Sequence, residues 1–238
     1  MTAVIGFDAA TPDVAVAATR DAEVLVERSI PPLEGGRPRH AAALLPEIEN
    51  VADAAGGWEE IAVIAVGIGP GSFTGLRIGI ATARALAQAL AKPIAPVGTL
   101  DALARGIGEH PVAAGRPRLA VSDARRGQAF AALYGADGER ALGPFVDAPS
   151  ELGARLPRLP EPPLAGGDGA VRFRADLEAA GAEVLPEEDP VHRLAARHLC
   201  FLAEGSGLVG PEEIRPIYLR PPDAELWLQR DRRRGSGD

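Results

Sequence analysis

Asp8 and Asp123 each stand at the end of a short apolar run, in a turn, about 115 residues apart. A carboxylate at the tip of a strand can touch a metal-bound phosphate, and Thr11 shares the first turn with Asp8. The same residues also suit an Asx turn, in which the side chain bonds its own backbone, and the sequence leaves both readings open. Beside the second acid, Arg125, Arg126 and Gly127 could meet an anion or a partner carboxylate, or could be exposed turn arginines. A third candidate is Gly67 to Ala87, GIGPGSFTGLRIGIATARALA. Its glycines Gly67, Gly69, Gly71 and Gly75 free the backbone to turn sharply, while Ser72 and Thr74 offer N-cap hydroxyls. Such a loop feeds a helix N-terminus, where amide N–H groups and the helix dipole could hold an anion.

The loop nevertheless fails the tests for a nucleotide fingerprint. A Walker A loop needs Lys before its Ser or Thr, and here Gly75 is followed by Leu76 and Arg77. The Rossmann spacing is missed by one residue, and no Asp or Glu lies between Glu60 and Asp101 to hold a ribose. Ser72 is no hydrolase elbow, since Pro70 and Thr74 occupy the glycine positions. A tight turn with close helix packing therefore stands beside anion binding. No metal site is expected: His40, His110, His192 and His198 include no pair spaced four apart. Cys200, between Leu199 and Phe201, reads as a buried structural thiol.

The elements that must position these residues follow from periodicity. Residues 3–7, 14–18 and 23–27 read as strands of an antiparallel meander, and His40 to Ala55 repeats apolar residues at helical spacing. Ile61 to Val66 is a buried strand, about Gly75 to Ala91 is a helix rich in glycine and alanine, and residues 93–97 are another strand. A helix begins at Thr99, and the Gly- and Pro-rich stretch 105–117 marks a boundary. Beyond it, strand, Asp-containing turn and strand recur at 118–123 and 128–134, suggesting duplication. Gly166 to Gly169 form a second glycine turn before a helix at 171–180, and Val191 to Glu204 reads as the last good helix.

At 238 residues, 46% hydrophobic, the chain can bury real cores. It shows no secretory leader and no apolar run near membrane-spanning length, which makes cytoplasm the expected location. A net charge of -8 argues against wrapping nucleic acid unaided.

In order along the chain, Asp8-Ala9-Ala10-Thr11, His40, Gly69-Pro70-Gly71-Ser72-Phe73-Thr74-Gly75-Leu76-Arg77-Ile78-Gly79, Gly98-Thr99-Leu100, Asp123-Ala124-Arg125-Arg126-Gly127, Gly166-Gly167-Asp168-Gly169 and Pro216-Ile217-Tyr218-Leu219-Arg220 resemble the TsaB (YeaZ) family. The resemblance spans about residues 3 to 220; Ala9 replaces a more usual Thr, and Ser122 a more usual Ile or Val. It implies an α/β fold of the actin-like ATPase (ASKHA) type, with two related lobes of mixed sheet and helices. It also implies a role as non-catalytic partner of TsaD, in the complex that transfers threonylcarbamoyl to N6 of adenosine 37 of tRNAs reading ANN codons. ATP and Mg would serve partner proteins, among them a TsaE homologue, and this chain would need no cofactor. The expected domains are a lobe at 1–106, a lobe at 107–220 whose last helix packs back on the first, and a flexible tail at 221–238.

The family places a helical bundle shared with TsaD on the two helices of the first lobe. His40, Leu44, Leu45, Ile48, Leu76, Ile80, Ala83, Leu86 and Ala87 are the expected contacts, with a homodimer through the same helices as a further expectation. Asp8, Thr11, Gly71, Ser72, Asp123, Arg125, Gly167 and Asp168 are the expected members of a vestigial nucleotide or anion site. The rival reading is a free-standing ATPase or kinase using Asp8 and Asp123, although the turns after them lack the glycine run that wraps phosphates. A peptidase reading finds no His and Asp order to serve Ser72.

Overall fold

The computed structural model describes residues 3–157 and 159–220, so the tail expected at 221–238 lies outside the described residues. The first meander is β1 (Ala3–Asp8), β2 (Val14–Arg20) and β3 (Glu23–Ile30), paired antiparallel. On its other side β1 runs parallel to β4 (Ile61–Gly67), which pairs with β5 (Ile94–Val97), giving the order β3-β2-β1-β4-β5. Parallel neighbours need a crossover. Helix α1 (His40–Ala54) returns the chain from the edge to the centre, and α2 (Phe73–Leu90) crosses from β4 to β5.

Side chains alternate across a strand, and both faces of this sheet are covered. Ile5, Phe7, Val14, Val16 and Ile64 pack under α1 and α2, whereas Ala15, Ala17 and Ala65 face Leu194, Leu199 and Cys200 near the end of the chain. The small residues on the second face let α7 (Arg197–Leu202) lie close: a Cβ on Gly6 would fall 2.7 Å from Cys200 Sγ. Burial pushes the Cys200 thiol up to about 12, in keeping with a structural thiol.

The second sheet repeats the first. β6 (Arg118–Arg125), β7 (Gln128–Tyr134) and β8 (Arg140–Asp147) form the meander, and β9 (Leu164–Gly166) and β10 (Glu183–Val184) join in parallel, in the order β8-β7-β6-β9-β10. Asp8 and Asp123 thus occupy equivalent ends of the two central strands. This duplicated mixed sheet is the actin-like ATPase fold. Leu119, Val121 and Leu133 pack against α4 (Leu152–Arg155), α5 (Asp168–Arg172) and α6 (Arg174–Ala179). Ala120, Phe130 and Ala132 pack against α3 (Thr99–Glu109).

Helix α3 departs from the sequence reading. The stretch expected to break at 105 continues as helix to Glu109, because Gly106 and Gly108 serve close approach rather than a turn. A Cβ there would sit 3.1 Å from the His198 ring and 2.2 Å from the Arg118 guanidinium, respectively. The boundary drawn at 106 therefore cuts a helix whose Leu100, Leu103 and Ile107 belong to the second core. Strand β8 was not foreseen, since Gly143 and Pro144 interrupt its pattern; it is an edge strand with register shifts, where both residues are tolerated. The helix expected over 191–204 shrinks to Arg197–Leu202, preceded by an extended Arg193. Among the described residues no helix is long and apolar enough to cross a membrane.

Candidate functional site

Asp8 ends β1 with its side chain turned inward. Oδ1 accepts the Ala10 and Thr11 N–H groups at 2.7 and 3.1 Å, and Oδ2 accepts the Thr99 hydroxyl at 2.8 Å. A Cβ on Gly67 would come within 1.8 Å of Oδ2, so the carboxylate fills the space that glycine leaves. Burial pushes its pKa up, opposed by the Thr99 hydroxyl, the two N–H groups and the nearby His40. The Asx turn is thus the structure's choice between the two readings of Asp8.

The glycine loop lies directly on this turn. Ser72 N–H donates to Ala10 O at 2.8 Å, and a Cβ on Gly71 or Gly75 would meet the carbonyl oxygen of Ala10 or Ala9 at 2.5 or 1.8 Å. Ser72 Oγ accepts Gly75 N–H at 3.2 Å and caps α2. The glycines therefore serve backbone contact between two turns, and the serine serves the helix. His40, at the start of α1, bonds Thr11 O through Nε2 at 3.0 Å and fixes the same turn from the other side.

In the second lobe Asp123 is likewise engaged. Its Oδ1 accepts Arg125 N–H at 2.8 Å, and Oδ2 accepts Arg125 Nη1 at 3.2 Å and Arg172 Nη1 at 2.9 Å. Asp168, at the start of α5, accepts the Ser122 hydroxyl at 2.9 Å, and burial pushes its pKa up. Gly167 has φ +109, and a Cβ there would lie 2.0 Å from Val121 O, which is why the turn after β9 needs glycine.

Between the lobes is a cavity of about 430 Å³. Of the expected anion-site residues, Thr11, Gly71, Ser72, Asp123, Arg125 and Asp168 line it, together with His40, whereas Asp8 and Gly167 lie behind the wall. One wall was missed by the sequence reading. The C-terminal segment returns between the lobes, with Ile217 N–H on Ile68 O at 2.8 Å, Tyr218 against Phe73 at 5.2 Å and Arg220 Nη1 on Gln128 Oε1 at 3.1 Å. The tyrosine in Pro216-Ile217-Tyr218-Leu219-Arg220 was the available signal, as an aromatic in an otherwise extended segment.

The expected partner contacts require correction. His40, Leu44, Ile48, Leu76, Ile80, Ala83 and Ala87 are each at most 5% exposed and hold α1 and α2 within their own lobe. Leu86 is half-buried on the same core, and only Leu45, 45% exposed, faces outward. Periodicity located the apolar stripe, and the sheet occupies it. Outward, α1 presents Ala41, Ala42 and Leu45, and α2 presents a stripe of small residues, Ala81, Ala85 and Ala89.

Comparison with known proteins identifies the architecture. The family model described as TsaD, tRNA N6-adenosine threonylcarbamoyltransferase, matches residues 30–174. An uncharacterized protein of Mycobacterium tuberculosis is 34% identical over 226 residues, 93% of this chain and 93% of its own length. The TsaB protein of Bacillus subtilis, a tRNA threonylcarbamoyladenosine biosynthesis protein, is 29% identical over 80% of this chain and 84% of its own. The solved structure of YeaZ from Pseudomonas aeruginosa aligns with a TM-score of 0.73 at 26% identity, covering 92% of this chain and all of that one. The chain belongs to the TsaB (YeaZ) family. The TsaB family acts in tRNA threonylcarbamoyladenosine biosynthesis.

Proposed function

We propose that this TsaB-family chain is the non-catalytic partner of a TsaD homologue in the complex that transfers threonylcarbamoyl to N6 of adenosine 37 in tRNAs reading ANN codons. The observation that carries this reading is the state of the two acids a free-standing ATPase would use. Asp8 is buried and bonded to its own turn and to Thr99, and Asp123, which lines the cavity, has both oxygens engaged by Arg125 and Arg172. Ser72, the one candidate for a peptidase nucleophile, caps α2 instead.

The outward stripe of α1 and α2 supplies the docking face, since alanines let a partner helix approach closely over Ala81 and Ala85. In this reading a TsaE homologue docks on the pair and uses ATP with Mg, the chain itself takes no cofactor, and a second copy covers the face when TsaD is absent. The complex works in the cytoplasm, where its tRNA is found.

Ala81→Arg and Ala85→Arg test the face, because both positions are exposed in the monomer. A charge desolvated in a helix interface costs about 3–5 kcal/mol. Both variants are expected to keep the wild-type unfolding midpoint and to lose capture of a TsaD homologue in a pull-down. Undiminished capture by both would place the interface elsewhere, and phosphate release from ATP by the purified chain alone, abolished by Asp8→Ala, would overturn the non-catalytic role.

A further inference from the structure

The chain carries a net charge of -8, yet several arginines line the cavity between the lobes or neighbour its lining residues in sequence. Arg125 and Arg220 line it. Arg37 and Arg39 flank Pro38, another lining residue, and both are exposed and form no ion pair among the described residues. Arg77 is exposed and lies over the Phe73 ring at 3.9 Å. The carboxylates among the lining residues, Asp123 and Asp168, already bond Arg125, Arg172 and Ser122, and Glu34 is the nearest exposed acid in the loop that carries Arg37. The mouth is therefore locally cationic on an acidic protein.

The same place holds an aromatic platform. Arg77 lies over Phe73, and Phe73 meets Tyr218 with ring centroids 5.2 Å apart and the rings tilted by 38°; Tyr218 is 43% exposed. Guanidinium groups that can neutralise phosphates, set beside an open aromatic ring, match a single-stranded segment of RNA, whose backbone is anionic and whose unstacked bases offer a π-face. Arg39 precedes α1 and Arg77 follows the first turn of α2, so the mouth adjoins the end of the two-helix face.

We infer that this mouth is an RNA-binding surface of the chain: Arg37, Arg39 and Arg220 hold phosphates, and Tyr218 stacks a base of a single-stranded loop. The inference rests on the proposed function for its setting, since RNA held by the partner at the two-helix face would meet the mouth. Binding by this chain remains measurable without that partner.

The test uses an unmodified tRNA transcript as probe, with binding followed by fluorescence anisotropy across a salt series. The full chain is measured alone at low salt and together with a TsaD homologue, whose association is read separately by pull-down. For Arg37→Gln/Arg39→Gln/Arg220→Gln the expected result is about tenfold weaker binding and a slope of log K against log salt smaller by about 2, at roughly 0.7 per phosphate contact. Tyr218→Ala is expected to weaken binding about fivefold or more without changing that slope, the signature of stacking rather than charge. A control with Arg105→Gln and Arg193→Gln is expected to bind as wild type.

Wild-type affinity and slope in the triple variant, with association intact, would overturn the inference. So would arginine-dependent binding unaffected by Tyr218→Ala and displaced equally well by polyglutamate, which would mark plain charge attraction. If the homologue fails to associate, the proposed function fails, and arginine- and Tyr218-dependent binding by the chain alone still decides the inference.

Discussion

Thr99→Val is the sharpest probe of Asp8 as a structural residue. Thr99 is 1% exposed, and its hydroxyl donates to Asp8 Oδ2 at 2.8 Å while accepting Gly69 N–H at 3.1 Å. Valine matches threonine in shape, so the substitution leaves a buried carboxylate oxygen short of its donor and a buried N–H short of its acceptor. Each unsatisfied group costs about 1–3 kcal/mol, more where charge is involved, and because the two share one side chain their sum is not additive. We expect a loss of about 3–4 kcal/mol. Thr99→Ser keeps the hydroxyl and removes one methyl group, for about 1 kcal/mol. The pH dependence has a fixed sign. The Thr99 hydroxyl lowers the Asp8 pKa against the upward push of burial, so its removal raises that pKa further above the unfolded value. An acid whose folded pKa is raised is penalised when ionised, so the deficit of the valine variant grows as pH rises and shrinks in acid, where Asp8 is protonated in both states. Urea unfolding of wild type and both variants at two pH values measures this. A valine variant as stable as the serine variant would refute the account of Asp8.

Three further outcomes follow from the packing. His198 is 1% exposed, and burial, with Arg197 and Arg105 nearby, pushes its pKa down to about 3. Because the unfolded chain takes up the proton first, stability is lost as pH falls through the unfolded value near 6.5, by roughly 2 kcal/mol between pH 7 and 5. His198→Leu is expected to remove most of that loss in paired urea titrations, and an unchanged loss would assign it to other groups. Gly75→Ala places a Cβ 1.8 Å from Ala9 O, backbone against backbone, and is expected to cost about 3 kcal/mol or more in urea unfolding. Gly79→Ala on the same helix meets nothing nearer than 3.8 Å and is expected to raise the unfolding free energy by up to about 1 kcal/mol through helix propensity, read as a higher urea midpoint.

The parts of the fold legible in the sequence were those set by local pattern. The short apolar runs in Ala3–Asp8, Val14–Arg20 and Arg118–Arg125, bounded by turn residues, marked both meanders, and the repeated order of strand, Asp turn and strand suggested the duplicated architecture. Three features were hidden because they depend on residues far away in the chain. Gly106 and Gly108 read as a break, yet they are helical because His198 and Arg118 press on them. The stripe from Leu44 to Ala87 read as a partner surface because the family resemblance implied a shared bundle there, while periodicity shows that a face is buried without showing what buries it. Asp8 stayed undecided between ligand and turn until Thr99, 91 residues away, supplied a donor. The cavity itself required the return of Ile217 to Arg220 between the lobes, for which an extended Tyr-containing segment is a faint signal.

In the proposed function the chain contributes a surface to its partner and performs no chemistry of its own. The measurement that tests it most directly is threonylcarbamoylation of a tRNA transcript by a reconstituted TsaD homologue, with its TsaC- and TsaE-type partners, in the presence and absence of this chain. Transfer that requires the wild-type chain and is lost with Ala85→Arg is the predicted result. Transfer at the same rate without the chain would contradict the account.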